Sequence, residues 1–176
     1  MKSDIIAIDN QSNGFNNAVE ETKKVAAYQN LSHKDAICLQ LCAEEMLSMA
    51  RSITGEMKAS FWIENEGKRF ELHMSTKPVL DKEKRWQLIS AATSRKNEAA
   101  QTFLGKLRDA FENAMTADVN RGDQIPNEIL ADLPNRFIED PEWDGYERSV
   151  LRRVSDEVKV GIRGGMVELT VVKAFG

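Results

Sequence analysis

The chain has 176 residues, and 24 lysine and arginine residues against 28 aspartate and glutamate residues give it a formal net charge of −4. This length suits one domain, and a 41% share of apolar residues is too high for a disordered chain. The acidic balance disfavours non-specific binding to nucleic acid, no apolar run is long enough to cross a membrane, and two cysteines are too few for a disulfide framework. We therefore expect a cytoplasmic globular domain that contacts neither nucleic acid nor membrane.

The N-terminal part of the chain predicts a strand followed by two helices. The apolar residues Ile5, Ile6, Ala7 and Ile8 indicate a short strand over residues 5–8. From Phe15 to Ala26 the apolar residues recur at the spacing of one helical face. Ser32 then opens a second helix with the capping-box-like sequence Ser-His-Lys-Asp. The apolar pattern of this second helix ends near Gly55.

Alternating apolar residues on both sides of a glycine predict a hairpin after the second helix. With Glu66-Gly67 as its two-residue turn, Phe61 lies opposite Leu72 and Ile63 lies opposite Phe70. All the apolar pairs then share one face of the hairpin. A slip by one residue would move this whole set into water, so the face of each residue is well specified.

A second hairpin is predicted at the end of the chain. Its turn is Gly164-Gly165, which suits a type I′ turn because glycine tolerates the positive φ that both central positions need. This turn places Val160 opposite Leu169 and Val158 opposite Val171. The alternate residues of both strands are polar, so one face of this hairpin should be buried and the other open.

The segment between the hairpins, residues 77–144, is predicted to be a helical insert, and its clearest amphipathic face lies within 103–114. A last helix over about 146–156 leads into the second hairpin. This order of elements predicts an α+β fold, a two-layer sandwich in which a mixed, mostly antiparallel sheet carries helices on one face.

Three stretches of the sequence are similar to one known family. Leu-Cys-Ala-Glu-Glu-Met-Leu-Ser-Met-Ala at 41–50 resembles the family's Leu-Ala-x-x-Glu-x-x-x-Asn-Ala helix. Residues 150–158 resemble its last helix with the Asp-Glu-Val that follows, and residues 165–173 resemble its closing strand. By these motifs the chain resembles the Bergerat-fold (GHKL) ATPase domain of bacterial serine/threonine-kinase-type anti-sigma factors.

The order of elements extends this resemblance over about residues 4–76 and 145–175. It implies a histidine-kinase-like ATPase fold for a single domain spanning residues 1–176. The helical insert at about 77–144 is atypical for the family, because it falls where the family has the lid over its ATP site.

The resemblance implies roles for two positions of the second helix. In the family, the helix glutamate activates the nucleophile, and an asparagine four residues later holds the magnesium ion of the nucleotide. Glu45 takes the glutamate position as a vestigial general base, but Met49 stands at the asparagine position. A thioether is a poor ligand for Mg²⁺, which prefers hard oxygen donors. An alternative register, Glu44 with Ser48, would keep a hydroxyl oxygen.

The other nucleotide-binding positions implied by the resemblance are also substituted. Thr76-Lys77-Pro78 stands at the family's Asp-x-Gly motif, so Thr76 replaces the carboxylate that reads adenine, and Pro78 replaces a glycine with a bulky ring of fixed φ. At the last helix, Gly145-Tyr146-Glu147 stands where the family has Gly-x-Gly. That carboxylate would oppose a phosphate at the start of a helix.

These departures predict a regulatory protein-binding module that resembles an anti-sigma factor in bacterial transcription regulation, with impaired or lost ATP binding, no metal and no cofactor. The resemblance implies a protein partner such as a sigma factor or an anti-sigma antagonist, and it leaves a homodimer open. The acidic stretch 139–147, with Trp143, fits a basic partner surface and fits a solvated hinge equally well. The alternative is a working ATP-dependent serine/threonine protein kinase that holds ATP and Mg²⁺ through Glu45 and donors from the insert.

Several of these residues also have a purely structural interpretation. Glu44 and Glu45 fit the solvated flank of an amphipathic helix. Cys38 and Cys42 lie one helical turn apart, and without clustered histidines they fit a buried core better than a metal site. His73 alternates onto the polar face of its strand, where a solvated histidine is the simpler interpretation.

Overall fold

Five strands and four α-helices make up the part of the chain that the computed structural model describes, residues 1–9, 13–55, 58–100 and 145–176. In chain order they are β1 (Ile6–Ile8), α1 (Asn13–Tyr28), α2 (His33–Thr54), β2 (Ala59–Glu66), β3 (Arg69–Thr76), α3 (Lys82–Ala91), a 3₁₀ turn (Glu98–Ala100), α4 (Gly145–Val154), β4 (Glu157–Arg163) and β5 (Met166–Ala174). The predicted amphipathic face within 103–114 and Trp143 lie outside the described residues.

The caps of α2 confirm its predicted beginning and end. The Ser32 hydroxyl accepts a hydrogen bond from the Asp35 backbone N–H at 3.2 Å and donates one to the Asp35 carboxylate at 2.7 Å. At the other end, Gly55 has a φ of +74° and donates its N–H to the carbonyl of Arg51 at 2.8 Å. A glycine stops the helix here because a positive φ costs it little.

The five strands form one sheet in the order β1-β2-β3-β5-β4, and every neighbouring pair of these strands is antiparallel. The predicted α+β class is therefore confirmed. A mixed sheet was predicted, but within the described ranges the parallel pairing is limited to an isolated bridge between Asn97 and Val160.

The second hairpin has the predicted register. Gly164 and Gly165 form its turn with φ values of +57° and +77°, and Val160 lies opposite Leu169. A type I′ turn needs positive φ at both central positions, and two glycines supply it without strain.

The register of the first hairpin differs from the prediction by two residues. Its turn is Gly67-Lys68, so Phe61 lies opposite Met74 and not Leu72. Gly67 takes the first turn position with a φ of +56°, and the Lys68 carbonyl accepts a hydrogen bond from Phe175 at 3.0 Å beyond the end of β5. A shift of two residues leaves every side chain on the same face of its strand, so the buried face was predicted correctly although the register was not.

The core lies between one face of this sheet and the helices. Each helix contributes buried side chains to it, such as Val25 from α1, Leu47 from α2, Leu88 from α3 and Leu151 from α4. The buried strand residues are Phe61, Ile63, Phe70, Leu72, Met74, Val158, Val160, Ile162, Val167, Leu169 and Val171. Their neighbours in sequence alternate to the opposite side of the sheet, which we call the open face.

The outer edge of β4 is covered by the chain that follows α3. The buried Asn97 amide donates to the carbonyl of Ile162 at 2.9 Å and accepts from the N–H of the same residue at 2.8 Å. Thr93 does the same for Val158, because its N–H donates to the Val158 carbonyl at 2.7 Å and its hydroxyl accepts from the Val158 N–H at 2.7 Å. These contacts satisfy edge groups that would otherwise pair with another strand.

Candidate functional site

Met49, which stands where the resembled family holds magnesium, is part of the hydrophobic core. The Met49 side chain is only 1% exposed and belongs to the same buried cluster as the sheet and the helices. Glu45, on the same helix, is half-buried, and Glu44 is exposed. In the alternative register, Ser48 is half-buried. A buried thioether offers no ligand to a hard cation.

The substituted adenine motif lies at the end of β3. Thr76 is 3% exposed, and its hydroxyl donates to the backbone carbonyl of Lys58 at 2.9 Å. Pro78 follows the strand and is half-buried, whereas Gly145 is the first residue of α4. The described residues that line an open depression at this end of the sheet include Thr76 but neither Glu45 nor Met49. The predicted site residues are therefore not gathered around that depression.

The two cysteines belong to the contact between α2 and α4. The thiols of Cys38 and Cys42 both point at the backbone carbonyl oxygen of Val154, at 3.6 and 3.7 Å. Burial, together with the neighbouring Cys38, raises the pKa of the Cys42 thiol to about 12. Cys42 is therefore a protonated core residue at neutral pH, as the structural interpretation expected, and not a nucleophile.

The open face carries an aromatic pair at its centre. The Trp62 indole and the His73 imidazole are stacked, with ring centroids 5.0 Å apart and planes within 9°. The Lys2 ammonium lies 5.0 Å from the centre of the indole ring and 2.9 Å from the Glu64 carboxylate, which also accepts from the Trp62 N–H at 3.0 Å. The side chains of Lys2, Trp62 and His73 thus form a continuous stack from the segment before β1 across β2 and β3.

His73 is held in its neutral form by this packing. Burial lowers the pKa of His73, against the opposing effect of the nearby Glu64 and Glu71 carboxylates. Its Nδ1 is 3.1 Å from the Thr170 hydroxyl, and its buried Nε2 has no hydrogen-bond partner among the described residues and lies 3.7 Å from a Glu71 carboxylate oxygen. His73 is therefore a partly buried strand residue and is not solvated as the sequence suggested.

The open depression at the end of the sheet has a volume of about 420 Å³. Two lysines and two serines line it, Lys58 and Ser60 from the β2 side and Ser75 and Lys77 from the β3 side, with Met166 beside them. Sequence reasoning missed this group because the predicted turn placed Lys58 opposite Ser75. The observed turn places Ser60 opposite Ser75 and Ala59 opposite Thr76, and the two lysines are the residues just beyond that last pair.

The described ranges offer few other functional features. They contain no group of three or more histidine, cysteine, aspartate or glutamate side chains able to hold a metal ion. No helix within them has the length and the hydropathy that a membrane crossing requires. Neither a protein-family model nor a curated protein sequence matches the chain.

Proposed function

We propose that the chain is a regulatory protein-binding module of the anti-sigma-factor type that has lost ATP binding and kinase activity. The observation that carries this proposal is the burial of Met49, which is 1% exposed in the hydrophobic core. A site that holds Mg²⁺ on a nucleotide needs oxygen ligands facing a wet cleft. Here the corresponding position packs against apolar side chains.

Two further contacts support the loss of nucleotide chemistry. The Thr76 hydroxyl, on a residue that is 3% exposed, donates its proton to the Lys58 carbonyl at 2.9 Å, so only a buried, neutral acceptor stands in place of the family's carboxylate. Pro78 lacks the backbone N–H and the φ freedom of the glycine that it replaces. Both changes remove polar contacts that an adenine ring would need.

The described architecture is compatible with the histidine-kinase-like ATPase fold that the motifs imply. The strand, two helices, hairpin, later helix and second hairpin follow one another in the expected order, and the helices pack on one face of the sheet. Since one fold supports many functions, this agreement supports the scaffold and not the activity.

The first test is a thermal unfolding series with millimolar Mg-ATP. A ligand at 100 times its Kd would stabilise the folded protein by about 2.7 kcal/mol, so binding of ordinary strength is easily seen. We expect no change in Tm. A rise in Tm that Glu45→Ala or Ser48→Ala abolishes would contradict the proposal and support the working kinase.

The second test asks whether a regulatory partner binds. Purified sigma factors and anti-sigma antagonists are titrated into the protein by calorimetry, with and without Mg-ATP. We expect a partner of this class to bind with a Kd that Mg-ATP and Glu45→Ala leave unchanged. Failure of the whole panel to bind, or binding that requires Mg-ATP, would contradict the proposal.

A further inference from the structure

We propose that the depression at the end of the open face binds the phosphate group of a small phosphomonoester. Its ligands would be the side chains of Lys58, Lys77, Ser60 and Ser75, which line that depression. The residues that line it include Thr76 of the substituted adenine motif but neither Glu45 nor Met49, so the proposed ligands do not include the α2 positions on which the proposed function rests.

The register of the β2–β3 hairpin brings the four side chains together. Ser60 is the cross-strand partner of Ser75, and Ala59 is the partner of Thr76. Lys58 and Lys77 are the next residues outward from the Ala59–Thr76 pair, so they stand opposite one another. Because side chains alternate along a strand, both serines fall on the open face, and both lysines, one residue beyond the ends of the strands, line the same depression.

The side chains of Lys58 and Lys77 line the same depression. Both lysines are exposed, and neither forms a salt bridge within the described residues. Like charges directly opposite each other on neighbouring strands are destabilising, and a bound dianion would reverse the sign of that interaction. Lysine is an established phosphate ligand that acts as a point charge.

The serines complete the site as neutral donors. Among the described residues, the Ser75 hydroxyl has only the Met166 sulfur as a partner, at 3.3 Å, and a thioether is a weak acceptor. Phosphate oxygens are much stronger acceptors, so this hydroxyl can turn to a ligand at little cost. Ser60 lies beside it at the centre of the same group.

The rest of the depression limits the size and character of the ligand. Its volume of about 420 Å³ suits a small molecule. Ala7 and Met166, which is 40% exposed, supply apolar surface next to the lysines. One carboxylate, Asp9, is among the described lining residues, and Glu168 is the cross-strand partner of Ser75. These two charges limit affinity and disfavour extended polyanions.

The test is an NMR titration of the full-length, ¹⁵N-labelled protein with inorganic phosphate and with phenyl phosphate, at constant ionic strength. We expect saturable shifts confined to the amides around Ser60 and Ser75, with phenyl phosphate bound more tightly because its ring contacts Met166. The double variant Lys58→Ala/Lys77→Ala should bind at least about tenfold more weakly, since each lost charged hydrogen bond is worth about tenfold or more. Asp9→Asn should bind more tightly.

A matched control is the double variant Lys24→Ala/Lys34→Ala, which removes two exposed helical lysines and keeps the net charge equal to that of the test variant. Shifts that do not saturate, or equal loss of affinity in the two double variants, would overturn the proposal. Equal affinity for inorganic phosphate and phenyl phosphate would overturn the proposed contact between the ligand and Met166. Because ATP also carries phosphates, the Mg-ATP series is repeated on Lys58→Ala/Lys77→Ala. If this variant loses a stabilisation by Mg-ATP, the nucleotide binds at the depression. If Glu45→Ala loses it, the nucleotide binds at α2, and the proposed function is contradicted.

Discussion

The imidazole of His73 lies flat against the indole of Trp62, with planes 9° apart, on the face of the sheet that no described helix covers. Both rings sit at opposite positions of the β2–β3 ladder, so the backbone register alone sets their contact. Offset aromatic pairs of this kind contribute about 0.5–1.5 kcal/mol beyond the area that they bury. The pair also partly desolvates the histidine, which makes its protonation unfavourable.

We therefore predict that the protein loses stability as the pH falls below about 6.5, the ordinary pKa of histidine. The unfolded chain binds the His73 proton at a higher pH than the folded chain does, because burial lowers the pKa in the fold. The free energy of unfolding then rises with pH across this range. Urea titrations at several values between pH 5.5 and 8 measure the slope.

The pH dependence should flatten in His73→Gln. The matched control is His33→Gln, which changes the other histidine of the chain, an exposed residue at the start of α2. A slope that His33→Gln removes and His73→Gln leaves intact would show that the stacked ring is not the titrating group.

Gly14 is predicted to be intolerant of alanine. A Cβ atom there would lie 2.7 Å from the Ala7 carbonyl oxygen and 2.8 Å from the Ile8 Cα, so the start of α1 touches the backbone of β1 directly. We expect Gly14→Ala to cost about 1–3 kcal/mol of stability by overpacking. Without this contact, alanine would instead favour the helix by up to about 1 kcal/mol. Chemical denaturation measures the change in the free energy of unfolding, and its sign distinguishes the two cases.

Gly161→Ala is the control for that measurement. A Cβ atom at Gly161 would be 3.7 Å from the Ala99 Cβ, an ordinary contact. We expect its effect to stay below about 1 kcal/mol, the usual difference between glycine and alanine within a strand.

Asn97 is predicted to protect the β4 edge. Asn97→Ala would leave the N–H and the carbonyl of Ile162 without their side-chain partners, at a cost of about 1–3 kcal/mol. Sedimentation should also show increased self-association, because an uncovered edge strand can pair with a second chain. Ser94→Ala, an exposed change in the same connection, should alter stability by no more than about 0.5 kcal/mol. Equal effects of the two substitutions would contradict this role.

Restoring the family's asparagine at Met49 is predicted to damage the protein and not to create an ATP site. Met49→Asn places an amide in the core, and we expect a loss of about 2–5 kcal/mol. Met49→Leu keeps the volume and should cost less than about 1.5 kcal/mol. Thermal unfolding with and without Mg-ATP checks both variants. An asparagine variant of near-normal stability that gains Mg-ATP binding would mean that position 49 faces a nucleotide cleft.

Local sequence was sufficient to predict the elements whose signals lie within a few residues. The cap at Ser32, the stop at Gly55 and the Gly164-Gly165 turn all depend on neighbouring backbone groups, and each was predicted correctly. The inward and outward faces of the hairpins were also predictable, because the side-chain period of a strand is two. The register of the first hairpin was not, since Glu66-Gly67 and Gly67-Lys68 give the same faces.

Contacts between distant segments were decided by the tertiary structure alone. The strand order places β5 between β3 and β4, which lets Thr170 reach His73, and the chain after α3 folds back so that Asn97 can cover Ile162. Burial of Met49 likewise depends on packing between layers. Local propensity cannot predict such contacts, because their energy comes from side chains that meet only after the chain has closed long loops.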